Sequence, residues 1–89
     1  MKREQAEIMA LSMLTYLVGD DKALEGFLAQ SGLALADIKA GARDADSLAG
    51  VMDFFLANEP ILLAYCAQED LDPHVPLRAR QTLPGAIPH

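Results

Sequence analysis

Cys66 and His74 are the closest this chain comes to a nucleophile beside a base, eight residues apart. A thiol attacks as its thiolate, which requires a base within hydrogen-bond reach and a further group to orient that base. The sequence suggests no orienting group. Cys66 follows Tyr65 on the apolar side of a helical pattern, where a cysteine acts as a small buried hydrophobe. Metal ligation fares no better, because Cys66, His74 and His89 do not fall at paired ligand spacing. The six glycines are scattered, so no phosphate-cradling loop is present. The carboxylates Asp20, Asp21, Asp44, Asp46 and Asp72 all precede helical patterns, where they accept free amide protons as caps. The expectation is a chain with no catalytic residue, no cofactor and no metal.

Two acids fall outside that explanation. Asp53 lies between Met52 and Phe54 in the most apolar segment, and helical spacing sets it opposite the stripe from Val51 to Phe55, facing water. Glu59 sits at a corner between two helices. Met9, Met13, Met52 and Ile61 are the apolar residues hardest to bury together, and methionine suits adaptable contact surfaces. These six residues form the expected partner surface.

The elements that must position them are helical throughout, with no alternating segment that suggests a strand. A first helix is predicted over 3–18, with Ile8, Leu11, Leu14 and Val18 facing inward, widened by Met9, Met13 and Leu17, and ended by a left-handed Gly19. Asp20 or Asp21 caps a second helix to 31, closed by Gly32 with Leu33 folding back. A short third helix spans 35–40 before Gly41. The fourth runs from Asp44 or Asp46 to 57, with Gly50 inside it marking a close approach by another backbone. The fifth starts at Pro60 and runs to 69. The sixth starts at Pro73 behind Asp72, or at Pro76, and stops at Leu83. The expected core is Leu11, Leu14, Val18, Leu24, Phe27, Leu28, Leu33, Val51, Phe55, Leu62, Cys66 and Leu71.

An internal echo runs through this pattern at a fixed offset of 38 residues. Phe27-Leu28-Ala29-Gln30 matches Tyr65-Cys66-Ala67-Gln68, Leu24 matches Leu62, and Tyr16-Leu17-Val18 matches Phe54-Phe55-Leu56. Two pseudo-symmetric halves would produce this, and so would two amphipathic helices with similar leucine-anchored caps. The fold class is all-α: a compact orthogonal bundle of five or six short helices in one domain over 1–83, with a flexible tail over 84–89.

At 89 residues the chain needs nearly all its large apolar side chains inside, and its apolar content of 52% can supply them. The net charge of −6 is concentrated in the middle, where eleven acids over 20–72 face Lys22, Lys39 and Arg43. Such a field repels phosphate backbones. A helix-turn-helix-like unit around Gly32 is the alternative reading, with Ile38 behind the turn and Lys39 and Arg43 on the reading helix. Leu28 is too large for the usual contact, and Asp37, Asp44 and Asp46 offset the cations. The longest apolar run, 8–18, is short of the roughly 20 residues needed to cross a bilayer. With one cysteine and no signal peptide, the chain reads as cytoplasmic.

Asp21, Leu24, Phe27-Leu28, Ser31-Gly32-Leu33, Asp53-Phe54, Leu56, Glu59, Leu62-Leu63, Cys66, Leu71-Asp72-Pro73, Ala79-Arg80 and Leu83-Pro84-Gly85 together resemble a family of small bacterial proteins, domain-of-unknown-function family 3572, found mainly in alphaproteobacteria. The resemblance spans about 3–85 and implies a cytoplasmic bacterial protein. It supplies no catalytic residue. The family's short third helix often follows a proline, whereas Ala34 and Leu35 stand there in this chain. A protein-interaction module, either adaptor or homodimer, is therefore expected, with a basic partner surface suited to the acidic middle segment.

Overall fold

The computed structural model describes residues 1–32, 34, 36 and 45–83. Leu33, the helix expected over 35–40 (residue 36 apart), Gly41, the cations Lys39 and Arg43, Asp44 and the 84–89 tail lie outside the described residues. Those described form five helices and no strand: α1 (Arg3–Gly19), α2 (Asp21–Ser31), α3 (Ala45–Ala57), α4 (Glu59–Glu69) and α5 (His74–Thr82). The chain is an all-α bundle.

Helix α1 is the hub, packing against α2, α3 and α5. Its apolar residues run all the way round, so two faces compete for the core. The winner carries Ala6, Ala10, Met13, Leu14 and Leu17 at 3–4 spacing. Two alanines allow neighbouring helices to approach closely, and Met13 and Leu17 fill the space between them. The expected inward face is thereby corrected: Ile8, Leu11 and Val18 are exposed at 61%, 43% and 40%.

Asp20 makes the first turn of direction. Its backbone is extended and its N–H donates to the Leu17 carbonyl at 3.2 Å, while its carboxylate accepts from the Lys22 and Ala23 amides at 3.1 and 3.2 Å. One residue thus closes α1 and caps α2. Gly19 is the last helical residue and needs no left-handed backbone. Among the described residues that conformation belongs to Gly32 (φ 71°) and Asp70 (φ 54°), which close α2 and α4.

The axes of α3 and α4 meet at 104°. Asn58 forms the corner, with its side-chain amide donating to the Phe54 carbonyl at 2.7 Å. Pro60 follows in the first turn of α4, where a missing N–H costs no helical bond. Helix α5 starts at His74, whose amide donates to the Asp72 carboxylate at 2.8 Å. Pro76 then stands third in the helix, still within the turn whose amides have no helical acceptor.

The five aromatic rings join the helices through edge-to-face contacts. Phe27 of α2 meets Phe54 at 5.3 Å, Phe54 meets Phe55 at 6.2 Å, and Phe55 meets Tyr16 of α1 at 6.1 Å and Tyr65 of α4 at 5.6 Å. Leu24, Leu28 and Leu71 are only half-buried against this core. Gly50 is exposed and a Cβ there would meet none of the described residues within 4 Å, so it marks no close approach among them. At Gly26 a Cβ would make ordinary van der Waals contact with the Phe54 ring, at 3.6 Å.

A shift of 38 residues maps Asp21–Ser31 onto Glu59–Glu69 end to end. The same shift maps cap Asp20 onto Asn58, and left-handed Gly32 onto left-handed Asp70.

Candidate functional site

Turning its alanine face inward leaves α1 with an outward stripe of Ile8, Leu11, Thr15 and Val18, one side chain per turn. Beside it an open cleft of about 730 Å³ is lined from α1 by Ser12, Thr15, Tyr16 and Gly19. The start of α2 adds Asp20 and Asp21, and the end of α4 adds Gln68 and Glu69. Thr15 belongs to both the stripe and the cleft.

A short relay fixes the floor of this cleft. The Tyr65 hydroxyl donates to Ser12 Oγ at 3.0 Å, and Ser12 Oγ donates to Glu69 Oε1 at 3.2 Å. Burial pushes the Tyr65 phenol above its ordinary pKa, the Ser12 hydrogen bond opposes this, and the Glu69 charge adds to the rise. Tyr65 therefore stays a phenol and keeps its donor role at neutral pH. The arrangement ties the end of α4 to α1 and holds Glu69 at the rim. Three carboxylates and no cation line the cleft among the described residues, so its field suits an ammonium or guanidinium group.

The other chemical candidates are not among the described residues that line this cleft. Cys66 is buried, and burial first and the Asp72 charge second push its thiol pKa up, the reverse of what a thiolate nucleophile needs. His74 is exposed and its Nδ1 lies 2.8 Å from Asp72 Oδ1. Hydrogen bonds from the His74 amide and then its ring hold the Asp72 carboxyl below the usual range. No group of three His, Cys, Asp or Glu side chains among the described residues could hold a metal ion.

The six residues expected to form a partner surface do not assemble into one. Met13 and Met52 are fully buried at 0% exposure, which corrects their assignment to the surface. Both are flexible enough to fill irregular gaps between α1 and its neighbours. Met9 and Ile61 are half-buried against the core. Asp53 faces outward but is engaged side-on by Arg80, with Nε to Oδ1 at 2.6 Å and Nη2 to Oδ2 at 3.2 Å. That pair fastens α5 to α3 through an arginine side chain only 11% exposed. Glu59 is exposed in the first turn of α4.

The family model described as protein of unknown function, DUF3572, matches residues 3–86 of this chain. The chain belongs to the DUF3572 family. The match takes in all five helices. No curated protein and no solved structure matches the chain. No single helix among the described residues is long and apolar enough to cross a membrane. The α3–α4 pair passes that test only jointly, across its 104° bend.

The stripe, the relay and the Asp53–Arg80 clasp were missed in the sequence. Ser12 held little signal, because a hydroxyl in a helical run can bond its own preceding turn, as Thr15 does with the Leu11 carbonyl at 2.9 Å. The partners of Ser12 lie 53 and 57 residues away, beyond any local pattern.

Proposed function

We propose that this DUF3572 protein is a non-catalytic protein-interaction module that binds through the outer face of α1. The observation that carries this reading is the exposure of Ile8, Leu11 and Val18 on one side of the hub helix, in a chain short of apolar residues to spare. An aliphatic stripe on a helix whose opposite face is anchored in the core is a rigid surface, so little ordering cost opposes association.

The test is a quantitative pull-down of the tagged chain from its host's lysate, with and without nuclease, beside Ile8→Ser. A stoichiometric, nuclease-resistant partner that the variant loses is the expected result. Recovery equal with both proteins overturns the α1 surface. Loss of every partner on nuclease treatment favours the alternative, a nucleic-acid-binding regulator turning at Gly32, against a net charge of −6.

A further inference from the structure

Charged residues border the apolar stripe at both ends, mixed with Lys2 and Arg3 at its start and acidic where it reaches the cleft. Glu4 and Glu7 stand before Ile8 on α1, and Glu7 is held by Arg3 at 3.3 Å. Beyond Thr15 the stripe opens into the cleft bordered by Asp20, Asp21 and Glu69. Lys22 is the one cationic side chain within two residues of that lining along the chain. Ser12 joins the two features: it stands one turn from Ile8 and holds Glu69 by its hydroxyl.

Resting on the interaction reading above, we propose that the occupant of this face is a basic amphipathic helix of a partner protein. Its aliphatic side chains cover Ile8, Leu11 and Val18, and a lysine or arginine on its flank enters the acidic cleft beside Thr15. The cleft is open and polar, which suits the end of a long cationic side chain that keeps part of its hydration. Oppositely charged borders around an apolar strip set the register of the docked helix and speed its encounter, and both effects weaken as salt rises. A second copy of this chain fits less well. Pairing two α1 helices head to tail brings a charge-balanced start, Lys2 and Arg3 beside Glu4 and Glu7, towards Asp20 and Asp21 of the other, whereas a basic helix meets those acids with net positive charge.

The probes are two synthetic helices of identical pattern, one of leucine and lysine, the other of leucine and glutamate. Each is titrated into the isotope-labelled full chain at low and high salt. The Leu/Lys helix is expected to bind, to shift the amides of Ile8, Leu11, Thr15, Val18 and Glu69, and to weaken with salt. The charge variant Asp21→Lys with Glu69→Lys should weaken binding about tenfold, and Ile8→Ser should weaken it comparably. Both changes are at exposed positions, and a melting curve confirms that each variant is folded. Equal binding of the Leu/Glu helix, shifts confined to another face, or unaltered affinity of the charge variant overturns the proposal. So does a native dimer in sedimentation that Ile8→Ser dissociates, since the occupant would then be a second copy. If the Leu/Lys helix fails while Ile8→Ser still loses its lysate partner, the basic occupant is wrong and the interaction reading stands.

Discussion

The two helical pairs, α1–α2 and α3–α4, share a register of 38 residues and differ in what each helix covers. In both, a long helix ends at an Asx residue, turns, and gives an eleven-residue helix closed by left-handed backbone. Yet α3 buries Leu48, Ala49, Val51, Met52, Phe54 and Phe55, while α1 keeps one face on the core and one in water. The caps diverge as well. Asp20 reaches forward to the amides of α2, whereas Asn58 reaches back to a carbonyl of α3. Local sequence thus repeats a helical corner, and the use of each corner is settled by its neighbours. In the first pair the surplus apolar face becomes the candidate binding surface.

The largest effects test whether the two hubs are equivalent. Leu17 and Phe55 correspond across the offset and both are at 0% exposure. Leu17→Ala is expected to cost about 2–5 kcal/mol and Phe55→Ala about 3–5 kcal/mol by denaturant titration. Phe55 heads the range because it also loses contacts with three rings. A cost below about 1 kcal/mol for Leu17→Ala would remove α1 from the centre of the fold.

The caps come next. Asp20→Ala should cost about 1–2 kcal/mol, since two amides lose their acceptor. Asn58→Ala should cost about 1 kcal/mol, the net worth of one hydrogen bond. Equal costs would mean that the two corners are held in the same way.

At the closing positions the expected signs are opposite. Gly32→Ala should destabilise by about 1 kcal/mol, because a Cβ is disfavoured at φ 71°. Asp70→Gly should stabilise by up to about 1 kcal/mol for the same reason at φ 54°. Thermal midpoints that move the same way in both variants would contradict the left-handed assignment.

Alkaline pH separates the halves without mutation. Phe27 and Leu28 correspond to Tyr65 and Cys66, so only the second pair titrates. Both folded groups have raised pKa values. Their contribution is fully present below the unfolded values, 9.0 for Cys66 and 10.0 for Tyr65, and is lost as pH rises through the higher folded ones. Stability should therefore decline above pH 9, first from the thiol and then from the phenol. Tyr65→Phe combined with Cys66→Ala should flatten that decline, as followed by melting temperature against pH.

Much of the fold was legible in the residues. Gly32, Pro60, Asp20 and Asp72 punctuate the chain through backbone preferences that act within a few residues, so the ends of the described helices were readable to within about two positions. The core face of α1 was not. Ile8, Leu11 and Val18 outrank Ala6 and Ala10 in hydrophobicity, but close helix packing rewards the smaller pair. Gly50 misled for a related reason. Its lack of a side chain was read as proximity, whereas no described residue would lie within 4 Å of a Cβ there.

By itself the sequence determined an all-α chain, the order and punctuation of its helices, its acidic middle and its 38-residue echo. Periodicity, caps and charge act locally, so they can be read from neighbouring residues. Only the tertiary structure decided which face of α1 meets the core, that Arg80 clasps Asp53, and that Ser12 joins Tyr65 to Glu69 beside an acidic cleft. Those contacts span 27 to 57 residues, and the competition among apolar faces is settled only when all the helices pack at once.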